Sequence, residues 1–205
     1  MRLGIFGGTF DPPHVGHLIL ASEAFEQLQL DRLLWVLTPD PPHKQDQVIS
    51  SQKMRLELLR LAIADNPQFE LSRVELDRPG PHYALDTVRL LREQFPGWEL
   101  VYLIGGDSLR DLPTWHQPQS LVQAVDAFGV MRRPGAEFDM AALEEILPGI
   151  GEKVRFLDVP LLEISSTEIR ARLAQGRTAR YYLLPTVYRR ILRRRFYQPK
   201  RVEQV

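Results

Sequence analysis

The chain has 205 residues, 44% of them hydrophobic and 25% charged, with zero formal net charge and no cysteine. That length suits one large domain with a sizeable core, and zero net charge sets up no global field to draw in nucleic acid or a membrane. The lack of cysteine excludes disulfides, thiolate metal sites, iron–sulfur clusters and a cysteine nucleophile. After Arg2 there is no secretory h-region, and no apolar run approaches the roughly 18 residues of a membrane span. The expectation is a soluble, cytoplasmic protein that binds neither membrane nor nucleic acid.

Residues 2–6 form a short apolar run that predicts a buried strand. Gly7-Gly8 and the turn Thr9-Phe10-Asp11-Pro12-Pro13 follow, then His14-Val15-Gly16-His17 at the start of a helix over 15–28. Leu18, Ala21, Phe25 and Leu28 make one apolar stripe along that helix. A second apolar strand covers 33–37, and its lack of alternation points to a parallel sheet covered on both faces. Prolines make 38–50 a loop. A helix capped by Ser50 or Ser51 runs to residue 64, with Met54, Leu58, Leu61 and Ala62 facing inward.

A strand is predicted over 69–76, a turn over 77–81 and a helix over 83–95. Another apolar strand, 100–104, runs straight into Gly105-Gly106-Asp107, read as a loop. Beyond it come a short helix over 118–125, a strand over 127–131, a helix near 140–147 and a strand near 154–157. Ile164-Ser165-Ser166-Thr167-Glu168-Ile169-Arg170 opens a helix to about residue 174, and Pro185 starts a last one to about residue 195. Strands alternating with helices predict an α/β fold: one Rossmann-like, doubly wound domain on a parallel sheet, with its core in 1–160 and a C-terminal helical segment in 161–205. Ligands of such folds sit beyond the carboxyl ends of the strands.

Strand, glycine turn and helix start, in that order, offer backbone N–H groups and a helix dipole to phosphate. The glycine pair alone is also what any tight turn would show. It is neither a dinucleotide fingerprint nor a P-loop. His14 and His17 add donors that change charge near neutral pH. A zinc site needs three or four protein ligands, and the sequence has neither an H-E-x-x-H motif nor a cysteine. Gly16 lacks a side chain, so a base or ribose could approach its backbone. Ser165 and Glu168 have capping-box spacing and mark a helix N-terminus. A cap needs one hydroxyl, whereas Ser165, Ser166 and Thr167 supply three, followed by Arg170, a set suited to a triphosphate. Arg189, Arg190 and Arg193 to Arg195 flank apolar residues, as on an amphipathic helix with a solvated face or on a patch for an anionic partner.

Gly7-Gly8-Thr9-Phe10-Asp11-Pro12-Pro13-His14-Val15-Gly16-His17 resembles the signature of the nucleotidyltransferase superfamily with its H/T-x-G-H motif. Within it the stretch most resembles the bacterial nicotinate mononucleotide adenylyltransferases. Ile164 to Arg170 is similar to that family's I-S-S-T-x-I-R. The resemblance extends from Leu3 to about Arg195. It implies adenylyl transfer from ATP to nicotinate mononucleotide, giving deamido-NAD and pyrophosphate, with Mg²⁺ arriving on ATP and no resident metal. It implies catalytic roles for His14 and His17. ATP contacts would come from Gly8, Thr9, Phe10, His17, Gly105, Asp107, Ser165, Ser166, Thr167 and Arg170. The mononucleotide would meet Thr9, Lys44, Ala84, Trp115, His116 and Arg133.

Three positions depart from the family pattern. His82 stands where relatives carry Ser, Ala84 where they carry Thr, and His116 where they often carry Tyr. A backbone N–H at Ala84 would have to serve in place of the missing hydroxyl. The nucleophile is a phosphomonoester with a second pKa of about 6, already anionic at neutral pH, so no general base is required. Nicotinamide mononucleotide as the substrate, phosphopantetheine adenylyltransferase, a cytidylyltransferase, a non-catalytic nucleotide-binding regulator and a nucleic-acid-binding module are the competing expectations. A homo-oligomer stays open.

Overall fold

The computed structural model describes residues 1–40, 48–131, 139–160 and 162–198. Six strands form one sheet: β1 (Arg2–Gly8), β2 (Arg32–Leu37), β3 (Phe69–Ser72), β4 (Glu99–Gly105), β5 (Ala127–Met131) and β6 (Val154–Leu157). All neighbouring pairs are parallel, in the order β3-β2-β1-β4-β5-β6. The chain winds outward from β1 on one side and from β4 on the other. Their shared boundary is the switch point where such sheets bind ligands.

The helices are α1 (Val15–Gln27), α2 (Gln52–Ile63), α3 (Ala84–Gln94), α4 (Gly106–Asp111), α5 (Pro118–Ala124), α6 (Met140–Ile146), α7 (Ile150–Lys153), α8 (Ser166–Ala174) and α9 (Pro185–Arg194). They cover both faces of the sheet. Leu3, Ile5, Leu34, Leu100 and Tyr102 pack with residues of α3, α5 and α7 on one face. Phe6, Leu33, Trp35, Val101 and Leu103 pack with residues of α1, α2, α8 and α9 on the other. Gly4 belongs in β1 because a Cβ there would stand 2.5 Å from the Leu30 side chain and 2.6 Å from that of Leu33.

The expected strand over 69–76 is shorter. β3 ends at Ser72, the last residue paired with β2. The chain then turns, with the Asp77 N–H donating to the Arg73 carbonyl at 3.0 Å. The glycine pair after β4 opens α4 instead of a loop, and the short helix α7 is an addition to the expected elements. Buried Leu109 and Leu112 hold α4 and the 3-10 turn after it (Leu112–Thr114) against the core, outweighing the glycines' weak helix propensity. Among the described residues no helix is long and apolar enough to cross a membrane.

Candidate active site

Gly7 and Gly8 end β1, and the chain reverses at Phe10, whose φ is 47°. A bulky residue takes that left-handed conformation only where its surroundings impose it. Here the Phe10 ring, 2% exposed, is wedged edge-on against Phe6 at 5.4 Å and His17 at 5.2 Å, and lies 5.2 Å from Trp35. A Cβ at Gly8 would stand 2.8 Å from that ring. Gly8 is therefore a packing requirement of Phe10. The Phe10 side chain, expected at the ATP site, belongs to the core, and only its backbone can meet a ligand.

The reversal carries Asp11, Pro12, Pro13 and His14 into buried positions before α1 begins. The His14 and His17 rings lie 3.7 Å apart, tilted by 35°. The His14 backbone N–H donates to His17 Nδ1 at 3.2 Å. A neutral His17 so held carries its proton on Nε2. Two cationic rings at this separation would repel, and an anion set against the pair offsets the repulsion. Gly16 makes room for a histidine instead of a base or ribose: a Cβ there would stand 3.0 Å from His14 Nδ1. At the N-terminus of α1, the Val15 N–H donates to the Tyr182 carbonyl and the His17 N–H to the His14 carbonyl, each at 3.0 Å. The helix thus has fewer open N–H groups than the sequence pattern suggests.

The second motif meets the first across the chain. Ser165 caps α8, its Oγ accepting from the Glu168 N–H at 3.1 Å. Ser166 Oγ donates to the Pro12 carbonyl at 2.8 Å, and Arg170 Nη1 donates to the Asp11 carbonyl at 2.8 Å. Arg170 Nη2 reaches Thr167 Oγ1 at 3.3 Å. All three hydroxyls therefore have partners within the fold. Ser165 and Thr167 are nonetheless exposed, and Arg170 is half-buried.

Arg55 fixes the other side of the loop. It is 2% exposed and donates to four carbonyls: Ser50 at 2.9 Å, Thr9 at 3.0 Å, Thr38 at 2.8 Å and Pro39 at 2.6 Å. One guanidinium thus ties together the loops that leave β1 and β2. Burial pulls its pKa below the usual arginine value, and the charges of Asp11 and Asp40 oppose that pull.

Beyond β4, Gly105 caps α4, and Asp107 lies exposed in its first turn, 3.5 Å from Arg110. Trp115 follows the 3-10 turn, half-buried and edge-on to Tyr102 at 6.5 Å. The Tyr102 hydroxyl reaches the end of β1, 3.2 Å from where a Gly7 Cβ would be. His116 stacks on Tyr83 at 4.0 Å and 17°. Tyr83 is the residue before α3, with no side-chain cap on the helix, and Ala84 is its first residue. The stack therefore holds His116 beside a helix N-terminus suited to a carboxylate.

Beneath α3, the carboxyl of Glu75 is 3% exposed and accepts from Thr87 Oγ1 at 2.6 Å. Burial pushes its pKa above the ordinary carboxylate value. Burial and the charge of Arg78 hold His82 below its usual value. Among the described residues no group of three or more His, Asp or Glu is arranged to hold a metal ion.

Residues 5–172 match the cytidylyltransferase-like family model. A protein of Thermomicrobium roseum named "Probable nicotinate-nucleotide adenylyltransferase" is 45% identical over 197 residues, 96% of this chain and 92% of its own. One of the same name from Exiguobacterium sibiricum is 44% identical over 192 residues, 94% of this chain and 96% of its own. The chain belongs to the nicotinate-nucleotide adenylyltransferases of the cytidylyltransferase-like family. Its fold agrees with that membership. The Plasmodium falciparum nicotinic acid mononucleotide adenylyltransferase complexed with NaAD superposes with a TM-score of 0.78 at 20% identity, covering 96% of this chain and 97% of that one.

The two family motifs therefore stand together: His14 at the end of the β1–α1 turn and His17 in the first turn of α1, with Ser165, Ser166, Thr167 and Arg170 at the start of α8. Gly105 ends β4, the strand beside β1, and Asp107, Trp115 and His116 follow it. Lys44 and Arg133 lie outside the described residues. Sequence reasoning missed Arg55, Tyr83 and Glu75. Arg55 had a signal, since with Leu58, Leu59 and Ala62 it occupies the inward stripe of α2, where a charge demands an explanation.

Proposed function

We propose that the chain transfers the adenylyl group of ATP to nicotinate mononucleotide. An oxygen of the mononucleotide phosphate bonds to the α-phosphorus of ATP, the bond from that phosphorus to the bridging oxygen breaks, and pyrophosphate leaves. The products are nicotinic acid adenine dinucleotide and pyrophosphate. The observation that carries this function is the junction of the two motifs, sealed by the Ser166–Pro12 and Arg170–Asp11 hydrogen bonds at the switch point of the sheet. The names of the relatives support the choice of reaction and substrate.

The work asked of the site is to bring two anions together and to stabilise charge on the transferring group and the leaving pyrophosphate. His14 and His17 supply donors to the phosphates. The backbone of Gly8, Thr9 and Phe10 lines the ATP side with the exposed face of Ser165, Ser166 and Thr167, and Arg170 meets the triphosphate. Gly105 and Asp107 receive the ribose, whose hydroxyls can donate to the Asp107 carboxylate. Trp115 stacks on the pyridine ring, and the backbone N–H groups at Ala84 and His116 take its carboxylate. The resemblance assigns Lys44 and Arg133 to the mononucleotide phosphate. Magnesium enters as part of the substrate, MgATP, neutralising phosphate charge and keeping most of its waters.

The test is pyrophosphate release with MgATP and each mononucleotide in turn. Nicotinate mononucleotide should give a kcat/KM at least about tenfold above nicotinamide mononucleotide, because an uncapped helix N-terminus favours a charged carboxylate over a neutral carboxamide. Equal turnover of both, or release with neither, would overturn the assignment.

A further inference from the structure

Asp11 is a buried carboxylate, 2% exposed, in the turn that carries the histidines. Its Oδ2 accepts from the Ser50 N–H at 3.0 Å. Its Oδ1 accepts from the Tyr197 hydroxyl at 2.8 Å. Arg170 Nη1 stands 4.0 Å from Oδ2, beyond hydrogen-bond reach, and is bonded instead to the Asp11 carbonyl. An arginine and a carboxylate left to themselves close to about 2.7–2.9 Å, often through two parallel bonds. Here each carboxylate oxygen is already engaged by another donor. Arg170 is thus drawn to the turn without being consumed by its charge.

Tyr197 lies just past α9 and is half-buried, with φ at 62°. Like Phe10, it is a bulky residue held in a conformation that its surroundings must impose. Burial, and next the charge of Asp11, push its phenol well above the usual tyrosine value, so it stays a donor at any physiological pH.

We infer that Tyr197 is a positioning residue for ATP: its hydroxyl occupies the Asp11 carboxylate and so leaves the Arg170 guanidinium for the triphosphate. This rests on the proposed contact between Arg170 and ATP. Deleting the hydroxyl gives Asp11 a free oxygen in a buried place; Arg55, which also feels its charge, is held by four carbonyls, so Arg170 is the cation able to turn toward it. The guanidinium turns inward, and the triphosphate loses it.

The test is Tyr197→Phe, which keeps the ring and its packing. Affinity for a non-hydrolysable ATP analogue should fall about tenfold, the scale of one charge-assisted hydrogen bond. KM for the mononucleotide should stay within about twofold. In an Asp11→Asn background the same substitution should change ATP-analogue affinity by less than about twofold, because no charge remains to compete for Arg170. Unchanged analogue affinity in Tyr197→Phe, or an equal loss in both backgrounds, would overturn the inference, whatever happens to the melting temperature. Should Tyr197→Phe fail to fold, Asp11→Asn alone decides. Analogue binding as tight as wild type or tighter supports the inference, and weaker binding refutes it. A wild-type protein that binds the analogue but transfers no adenylyl group would refute the proposed reaction while leaving the affinity ratio readable.

Discussion

A single methyl group added at Gly16 would test whether the His14–His17 pair depends on the space that this glycine leaves. The new Cβ would stand 3.0 Å from His14 Nδ1 and 3.1 Å from Cε1, where ordinary contact begins at 3.4 Å. The imidazole would have to shift by roughly half an ångström. It has little room to do so, being 7% exposed and 3.7 Å from the His17 ring. Overpacking of this kind costs about 1–3 kcal/mol, which lowers Tm by roughly 2–12 °C in a chain of this size. The kinetic effect should be larger. Misplacement by about 1 Å near a reacting centre can cost roughly 100-fold, so half that shift predicts a kcat about tenfold lower. KM values should change less than kcat, since the side chains nearest the new Cβ are those of His14 and, at 3.9 Å, Ile164. Steady-state pyrophosphate release and a thermal melt give the two numbers. A kcat within twofold of wild type, accompanied by the expected fall in Tm, would refute the claim that the position of His14 matters to the chemistry.

Other substitutions probe the remaining parts. His17→Ala should lower kcat by about 10²–10³-fold, the scale of losing one preorganised donor, and a near-normal kcat would remove His17 from the mechanism. Trp115→Ala should raise KM for the mononucleotide and leave KM for ATP nearly unchanged. If neither KM moved, Trp115 would have no part in binding the mononucleotide. Arg55→Met should cost at least about 3 kcal/mol by leaving four carbonyls without their donor, seen calorimetrically as a Tm lower by roughly 6–12 °C. A Tm loss of only a degree or two would show that water or neighbouring N–H groups replace the guanidinium. Glu75 has a folded pKa raised by burial, so its contribution to stability is full below about 4.5, its unfolded value, and is lost as pH rises through the folded value. Urea melts of Glu75→Gln across that range should lack this component, and pH profiles parallel to wild type would refute the assignment.

Strands β1, β2, β4 and β5 were legible as apolar runs, because a parallel sheet covered on both faces buries the side chains along the middle of each strand. β3 was overextended since Val74 and Leu76 continue its apolar character, whereas its pairing with β2 stops at Ser72 and the chain turns from Arg73 to Asp77. α4 was hidden by Gly105 and Gly106, whose local preference yields to the burial of Leu109. The histidines and the start of α8 were legible through their residue types and order. Their partners were not. Asp11, Glu75 and Tyr197 are single polar residues whose meaning comes from neighbours far along the chain, and no local period encodes that. The hydroxyls of Ser166 and Thr167 were legible as a cluster, yet their hydrogen bonds to Pro12 and Arg170 required the fold.

The bond between Tyr197 and Asp11 joins positions 186 apart in the sequence. During synthesis the β1–α1 turn emerges well before α9, and this tether forms only after α9 has followed and docked. A chain halted at α8 would carry both histidines and Arg170, yet Asp11 would still lack its phenol. Ending the chain at Arg195 should have the same effect in a finished molecule, with every motif residue in place. On this account full ATP affinity arrives only once α9 and Tyr197 have been made and docked, so that chains halted before them compete poorly for the nucleotide.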